Sequence, residues 1–511
     1  MSTTERISAD RRGILWLLLI AFVFVGTFVF CFTLPYSYAQ HGSQPQRTMV
    51  LISKTSAESF IVYVVSFALM FLLYALGVRI ANRLAGNWQN VLLLLLGGAI
   101  FVAVLLPMYP YDSADVYDYI IRGRMTASYG ANPLAATPQQ VAKDDPFFPF
   151  AAWTAATGAY GPAWEWIAAG AARVAGDDAF ANVLIFKLIA VAGYLATGLL
   201  VALTLRRIAP DRVSLGAYLW LWNPFVILMV GEGAHNDALM SAFLLLGVYF
   251  LLRRWYIAGT LTALIGALIK FVPLALVALI AVVALRELRL RLKLRYVIVG
   301  GLSSLILIGV ISAPFWTGDV DAILNLNRRS RLFTGSTATV VRKLLVPLLD
   351  NKPMGAGGSE TSITNLLISR TAFGLLALFV AWQLLQTYRD RSGDPMRPVR
   401  SLALILMFYL LVSSFWFMSW YVLWVVPLAA LFVDSPLRRL ILIFSYLVTW
   451  EMVMYQYVGL RPGNWLPDPW RDLIPVLSYM GVIYVWLVVE WWWQRSRLLK
   501  SQRLQVVEQQ G

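Results

Sequence analysis

The 511-residue chain has one cysteine, Cys31, and two histidines, His41 and His235, and only 14% of its residues are charged. A single thiol excludes an intramolecular disulfide and a multi-thiolate metal site. Two histidines exclude a histidine-rich metal centre. A glycine-rich phosphate-cradling motif is missing, and no internal repeat marks a two-fold transporter. Scarce charge, 59% hydrophobic residues and a mean hydropathy of +0.68 exclude an ordinary soluble protein.

What fills the chain instead is a succession of apolar runs, many near the roughly 17–25 residues that cross a bilayer as helix. They are continuous rather than alternating, which excludes a barrel of roughly ten-residue strands. The pattern predicts an all-α polytopic transmembrane bundle of about 14 spans, range about 12–14. It forms one membrane domain over 1–493, followed by a basic tail over 494–511. The pairs 256–270 with 272–285 and 401–417 with 420–433 can each be one bent span. Residues 13–33 exceed a signal-peptide core and read as a retained helix, despite Arg11 and Arg12 ahead of them.

The net charge of +15 resides largely in short loops such as RELRLRLKLR (286–295) and YRDRSGDPMRPVR (388–400), and in the tail. Placing both termini in the cytoplasm puts the excess of Lys and Arg inside, as the positive-inside bias requires. The basic character is then topological, and no nucleic-acid partner is expected. Both long connections, 108–178 and 317–362, fall on the outer face, where loops on a rigid scaffold carry function.

The stretch YPYDSADVYDYIIRGRM (109–125) sets Asp112, Asp115 and Asp118 three apart, on neighbouring parts of one helix face. One reading is a cap and dipole-favoured acids, with Arg122 and Arg124 as solvated partners. The other is a carboxylate at the water–lipid edge that takes a proton from an attacking hydroxyl. GAYGPAWEWIAAG (158–170) offers Tyr160, a helix start at Pro162, and Trp164 and Trp166 for the interface. It ends the first long loop and would wall any pocket there.

LWNPFVILMVGEGAHNDALM (219–240) crowds Glu232, His235, Asn236 and Asp237 into a short turn. Capping by Asn236 or Asp237 needs one residue, whereas four polar groups converge, enough to hold a sugar or a phosphate. Lys187, Lys270 and Arg370 sit in or at the ends of outer-leaflet spans, where ionisable groups serve function unless they snorkel. The second long loop adds Arg328, Arg329, Arg331, Arg342 and Lys343, a set suited to an anionic headgroup or a lipid-linked phosphate. WFMSWYVLWVVP (416–427) reads either as an aromatic belt or as a sugar-stacking surface.

With DVY, YGP, NP…HNDALM and WY…W…P in this order, the chain resembles the GT-C glycosyltransferases. Within them it is similar to the bacterial polyprenol-phosphomannose-dependent α-1,6-mannosyltransferases of actinobacterial lipoglycan assembly. The likeness is strongest over 109–273. It implies a helical fold with its site on the outer face of the cell membrane. It also implies transfer of a sugar, expected to be mannose, from a polyprenyl-phosphate carrier to a glycolipid or polysaccharide acceptor, with inversion. By motif, Asp115 is the implied general base and Asp112 its understudy, while Asp118, Tyr160, Glu232, His235, Asn236, Asp237 and Lys270 would bind substrate. Membrane lipids, the carrier and the acceptor are the implied partners. YDSAD departs from a tight Asp-x-Asp, so neither metal nor cofactor is expected. Two alternatives stay open: a flippase or transporter of lipid-linked oligosaccharide, and a glycan ligase or polymerase.

Overall fold

The computed structural model describes residues 3–45, 52–53, 56–318, 333–351, 362–432, 435–454, 457 and 470–510. Among these residues the chain is helical, and the only β-type pairings are two isolated bridges, Ser37 with Met108 and Thr334 with Trp416. The helices that build the site region are α1 (Thr3–Phe28), α2 (Ala57–Ala81), α3 (Trp88–Leu105), α4 (Asp115–Ala127), α5 (Pro162–Ala175) and α6 (Ala179–Ile208). They continue with α7 (Val213–Leu221), α8 (Pro224–Gly231), α9 (Asp237–Leu252), α10 (Tyr256–Ile269) and α11 (Leu274–Glu287). Further along lie α12 (Ile363–Arg389) and a helix over Pro436–Met454.

Seven helices among the described residues are long and apolar enough to cross a membrane, or eight if one bent pair counts as a span. They include α2, α3, α6 and α12, together with Asp10–Thr33, Leu290–Phe315 and Leu473–Ser496. The chain is therefore a multi-pass membrane protein. Other apolar runs form shorter helices, α9 and α10 among them.

Local chemistry sets many of the boundaries. Ser56, Asn87 and Asp178 accept backbone N–H bonds at the starts of α2, α3 and α6, satisfying donors that the helix itself leaves open. The run 213–230, which reads as one span, is broken into α7 and α8 with a bend of 51°. Pro224 cannot donate to the preceding turn, and its ring clashes with the carbonyl four residues back. The Asn223 side chain takes over, accepting from the N–H groups of Phe225 and Val226. The pair 256–270/272–285 is likewise two helices, separated at Lys270–Pro273.

Between lipid-bathed helices there is no strong hydrophobic drive, so close packing and interhelical hydrogen bonds hold the bundle. Trp220 Nε1 donates to the Tyr194 carbonyl (2.9 Å), Trp222 Nε1 to that of Leu94 (3.1 Å), and Tyr74 to that of Leu219 (2.7 Å). Each such bond contributes about 0.6 kcal/mol on average. α9 runs between α6 and α10, and α4 lies along α5. A Cβ at Gly123 of α4 would stand 2.2 Å from the Ala168 carbonyl oxygen, so only glycine lets α4 and α5 approach this closely.

Candidate active site

The last carbonyls of α3 have no donors within their own helix. Lys187, fully buried on α6, donates to the carbonyls of Leu105 (3.3 Å), Leu106 (3.2 Å) and Met108 (2.6 Å). A cation at a helix C-terminus also complements the dipole. Lys187 thus fixes the direction in which the chain leaves α3 toward the acids. Tyr109 N–H to the Tyr36 carbonyl and Tyr38 N–H to the Pro107 carbonyl, both 2.7 Å, tie this exit to the end of the first span.

The acids divide at once. Asp112 donates its backbone N–H to Glu232 Oε1 (3.0 Å), which joins the acidic loop to the HND turn. Asp115 opens α4, and its N–H donates to Ser113 Oγ (3.0 Å). Ala114 occupies the N-cap position without a side-chain bond, so capping does not account for the triplet. The Asp115 carboxylate is half-buried and accepts from the Tyr160 hydroxyl at 2.9 Å. Burial raises its pKa above the usual carboxylate range, opposed by the Tyr160 bond and the Lys270 charge. Asp112 is pushed well above that range by burial and by the neighbouring Glu232.

Asp118 does something else. It accepts the Trp153 N–H (3.1 Å) and pins the loop that follows α4 back over that helix. Arg122 donates to the carbonyls of Ala156 (3.1 Å) and Trp153 (3.3 Å). Arg124 pairs with Asp145 (2.7 Å) and Asp177 (2.8 Å). The expectation of solvated arginines is corrected: both are buried, because the loop folds back over them and its backbone oxygens and acids need donors.

Tyr160 is set by Gly161, whose N–H donates to the Ile269 carbonyl (3.0 Å). A Cβ at Gly161 would lie 2.1 Å from the Leu268 carbonyl oxygen, so the start of α5 meets the end of α10 only through glycine. Lys270 follows at once. Its ammonium lies 2.7 Å from Asp237 Oδ1 and 4.6, 5.3 and 5.7 Å from the ring centroids of Tyr421, Trp424 and Tyr160. Trp424 Nε1 donates to the same Asp237 oxygen. Lys270, Asp237, Tyr160 and Asp115 therefore form one connected group.

The HND turn completes it. Ala234 adopts φ +53°, a left-handed conformation that costs a non-glycine residue about 1–3 kcal/mol and clusters at functional sites. His235 then stacks on Trp420, centroids 4.2 Å apart and planes 15° from parallel. Burial and the Lys270 charge hold its pKa well below the ordinary value, so it is a neutral imidazole. Asn236 takes the N-cap place of α9, but its side chain makes no capping bond. Both His235 ring nitrogens, both Asn236 amide atoms, Glu232 Oε2 and Asp112 Oδ2 are buried with no hydrogen-bond partner among the described residues. Each such atom costs about 1–3 kcal/mol, a demand that a hydroxyl-rich ligand meets with donors and acceptors.

Arg370 is exposed on α12 and makes no hydrogen bond or ion pair with these groups. Arg328, Arg329 and Arg331 lie outside the described residues. Arg342 donates to Asn365 (2.7 Å) and lies over the Phe333 ring. Trp166 is exposed as expected at an interface, but Trp164 is corrected: it is buried against Tyr119 and Phe186. Residues absent from the motif-derived site but present here are Trp420, Tyr421 and Trp424, which the sequence reads as belt or sugar-stacking surface and the structure sets against His235 and Lys270. Glu165 is a further one. It is 1% exposed, with a pKa pushed up to about 7 by burial against the opposing Arg122 charge. Among the described residues no three His, Cys, Asp or Glu groups converge as metal ligands.

Fold and site together define a polytopic helical membrane protein with an acid–tyrosine–lysine group at one end of its bundle, ringed by polar atoms that lack partners among the described residues. Residues 16–286 match the family model described as alpha-(1->6)-mannopyranosyltransferase, N-terminal domain, and the chain belongs to this family, the one its motifs resemble. The chain is 30% identical over 208 residues to alpha-(1->6)-mannopyranosyltransferase B of Corynebacterium glutamicum, covering 38% of this chain and 33% of that protein. It is 25% identical over 373 residues to alpha-(1->6)-mannopyranosyltransferase A of Mycobacterium tuberculosis, covering 70% and 69%. The matched region thus spans about a third of the first relative's length and about two thirds of the second's.

Proposed function

We propose that the chain is a membrane mannosyltransferase of the bacterial plasma membrane. It moves mannose from a polyprenyl-phosphate carrier to a glycolipid or polysaccharide acceptor at the outer face, with inversion. In this reading both termini are cytoplasmic, the single domain spans the membrane about 14 times counting shorter and bent segments, and no nucleotide, metal or nucleic acid takes part. Family membership and the names of the relatives support the mannosyl part.

The observation that carries the reading is the half-buried Asp115 carboxylate, bonded to Tyr160, with Lys270 beside that tyrosine's ring. Asp115 takes the proton of an acceptor hydroxyl as its oxygen bonds to the anomeric carbon. The bond from that carbon to the phosphate oxygen breaks on the opposite side, and polyprenyl phosphate leaves with the electron pair. Lys270, held in place by Asp237 and three rings, is a preorganised cation for the charge that builds there. His235 and Asn236, whose side-chain polar atoms lack partners among the described residues, read sugar hydroxyls. Radiolabelled mannose transfer from polyprenyl phosphomannose in membranes tests the reading. Wild type transfers and Asp115→Asn loses at least about a hundredfold, the lower range for a general base. Full transfer by Asp115→Asn removes the base, and no transfer by wild type removes the donor.

A further inference from the structure

At the end of the first span away from the acids, α1 and α2 leave a groove of about 770 Å³ lined by both helices. Its mouth carries Arg12, Arg79 and Arg83 with Asp10, and its floor is Gly13, Leu19, Ile20, Val23, Leu73, Leu76 and Ile80, with Trp16 at the rim. The three arginines are exposed and make no ion pair or side-chain hydrogen bond among the described residues. Leu19 is 51% and Leu76 43% exposed, so the floor is open to lipid.

The dimensions decide what fits. From Asp10 to Val23 the groove runs ~20 Å along α1 at the helical rise, and from Leu73 to the end of α2 at Ala81 ~12 Å, with Arg83 and Leu84 just beyond. That is the depth of one leaflet, half of a hydrocarbon core about 30 Å thick. The first span covers ~30 Å between Arg12 and Thr33, and Tyr36 just beyond bonds to Tyr109, three residues before Asp112. The arginine mouth therefore lies a full membrane thickness from the acidic loop, out of reach of a substrate reacting at Asp115.

We propose that this groove is a binding site for one anionic phospholipid of the leaflet opposite the active site. Guanidinium groups of Arg12, Arg79 and Arg83 hold its phosphate, by the planar fork that suits phosphate oxygens. One acyl chain lies along the apolar floor. Basic pockets between spans that select lipid headgroups work in this way. A zwitterionic lipid brings the same phosphate together with a headgroup cation that the three arginines repel, and a free phosphate leaves the floor uncovered.

Native mass spectrometry of the full chain, released from nanodiscs of equal phosphatidylglycerol and phosphatidylcholine with matched acyl chains, tests this. Wild type should retain one phosphatidylglycerol at least about fivefold over phosphatidylcholine, the size expected from a single surface arginine. Arg79→Gln/Arg83→Gln should abolish the preference, while Arg291→Gln/Arg295→Gln, which removes equal charge elsewhere, should keep it. Leu76→Trp, which fills the floor and spares the arginines, should also lose the bound lipid. The proposal is overturned if wild type shows no preference, if both arginine pairs act alike, or if Leu76→Trp keeps the lipid. It is overturned too if added polyprenyl phosphate displaces phosphatidylglycerol from the site, or if the groove is covered in a dimer that holds no lipid. Should the arginine variant fail to fold, the wild-type preference and Leu76→Trp still decide.

Discussion

Tyr160→Phe is the sharpest perturbation of the proposed base, because it removes one hydroxyl and leaves the ring. The 2.9 Å bond it deletes stabilises the ionised form of Asp115. A hydrogen bond to a charged group contributes about 1.5–3 kcal/mol. Asp115 retains partial exposure, so solvent screening places the loss at the low end, about 1.5 kcal/mol. At 1.36 kcal/mol per pH unit, the carboxyl pKa rises by about one unit. The sign follows from the role: a base works ionised, so transfer falls as pH drops through its pKa. In wild type that acid limb should already stand above the usual carboxylate value of about 3.9, since burial raises Asp115. In Tyr160→Phe it should stand about one pH unit higher again, with the plateau at high pH reduced far less than the rate near neutrality. The assay is kcat/KM for mannosyl transfer from polyprenyl phosphomannose between pH 5 and 9 in proteoliposomes. An acid limb that stays in place, or moves to lower pH, refutes the argument. Equal loss at every pH would make Tyr160 a packing residue only.

Asp237→Asn keeps an oxygen for Trp424 but strips the countercharge from Lys270, whose side chain is 5% exposed against 0% for its partner. Breaking such a buried pair should cost about 3–5 kcal/mol in thermal unfolding. Asp237→Asn/Lys270→Met should recover much of that stability without restoring transfer, and an unrecovered double variant counts against the pairing. Lys187→Met should lower stability by about 1–3 kcal/mol through the unmade bonds at the end of α3, leaving donor KM within about twofold. A KM rise above about tenfold in a normally stable protein would instead favour direct phosphate binding. His235→Phe keeps the stack on Trp420 but loses both ring nitrogens, so it should raise substrate KM about tenfold, near one hydrogen bond's worth, with stability little changed.

Much was legible from residue order alone. Apolar run length dictates helices in lipid, because backbone groups there must bond within their own segment. The motif order DVY, YGP, HND marked the family, and Lys270 and Asp237 stood out as polar groups where polarity is costly. Hydropathy merges what proline divides, so the α7–α8 break needed the structure. Chain spacing also cannot tell which of three evenly placed acids turns toward a loop. Asp118 holds the Trp153 N–H, whereas Asp115, three residues away on the same helix, faces Tyr160.

The sequence by itself determined a helical membrane protein, its family, and a short roster of polar groups, because burial energetics and motif order are one-dimensional properties. Only the tertiary structure decided their roles. Lys187, singled out as a headgroup cation, instead donates to three carbonyls where the chain leaves α3, those of Leu105, Leu106 and Met108. Trp420, Tyr421 and Trp424, belt or stacking residues in sequence, became the walls around His235 and Lys270, roughly 150 to 190 residues upstream in the chain. Partners so far apart in sequence are chosen by how helices pack, and no local pattern encodes that choice.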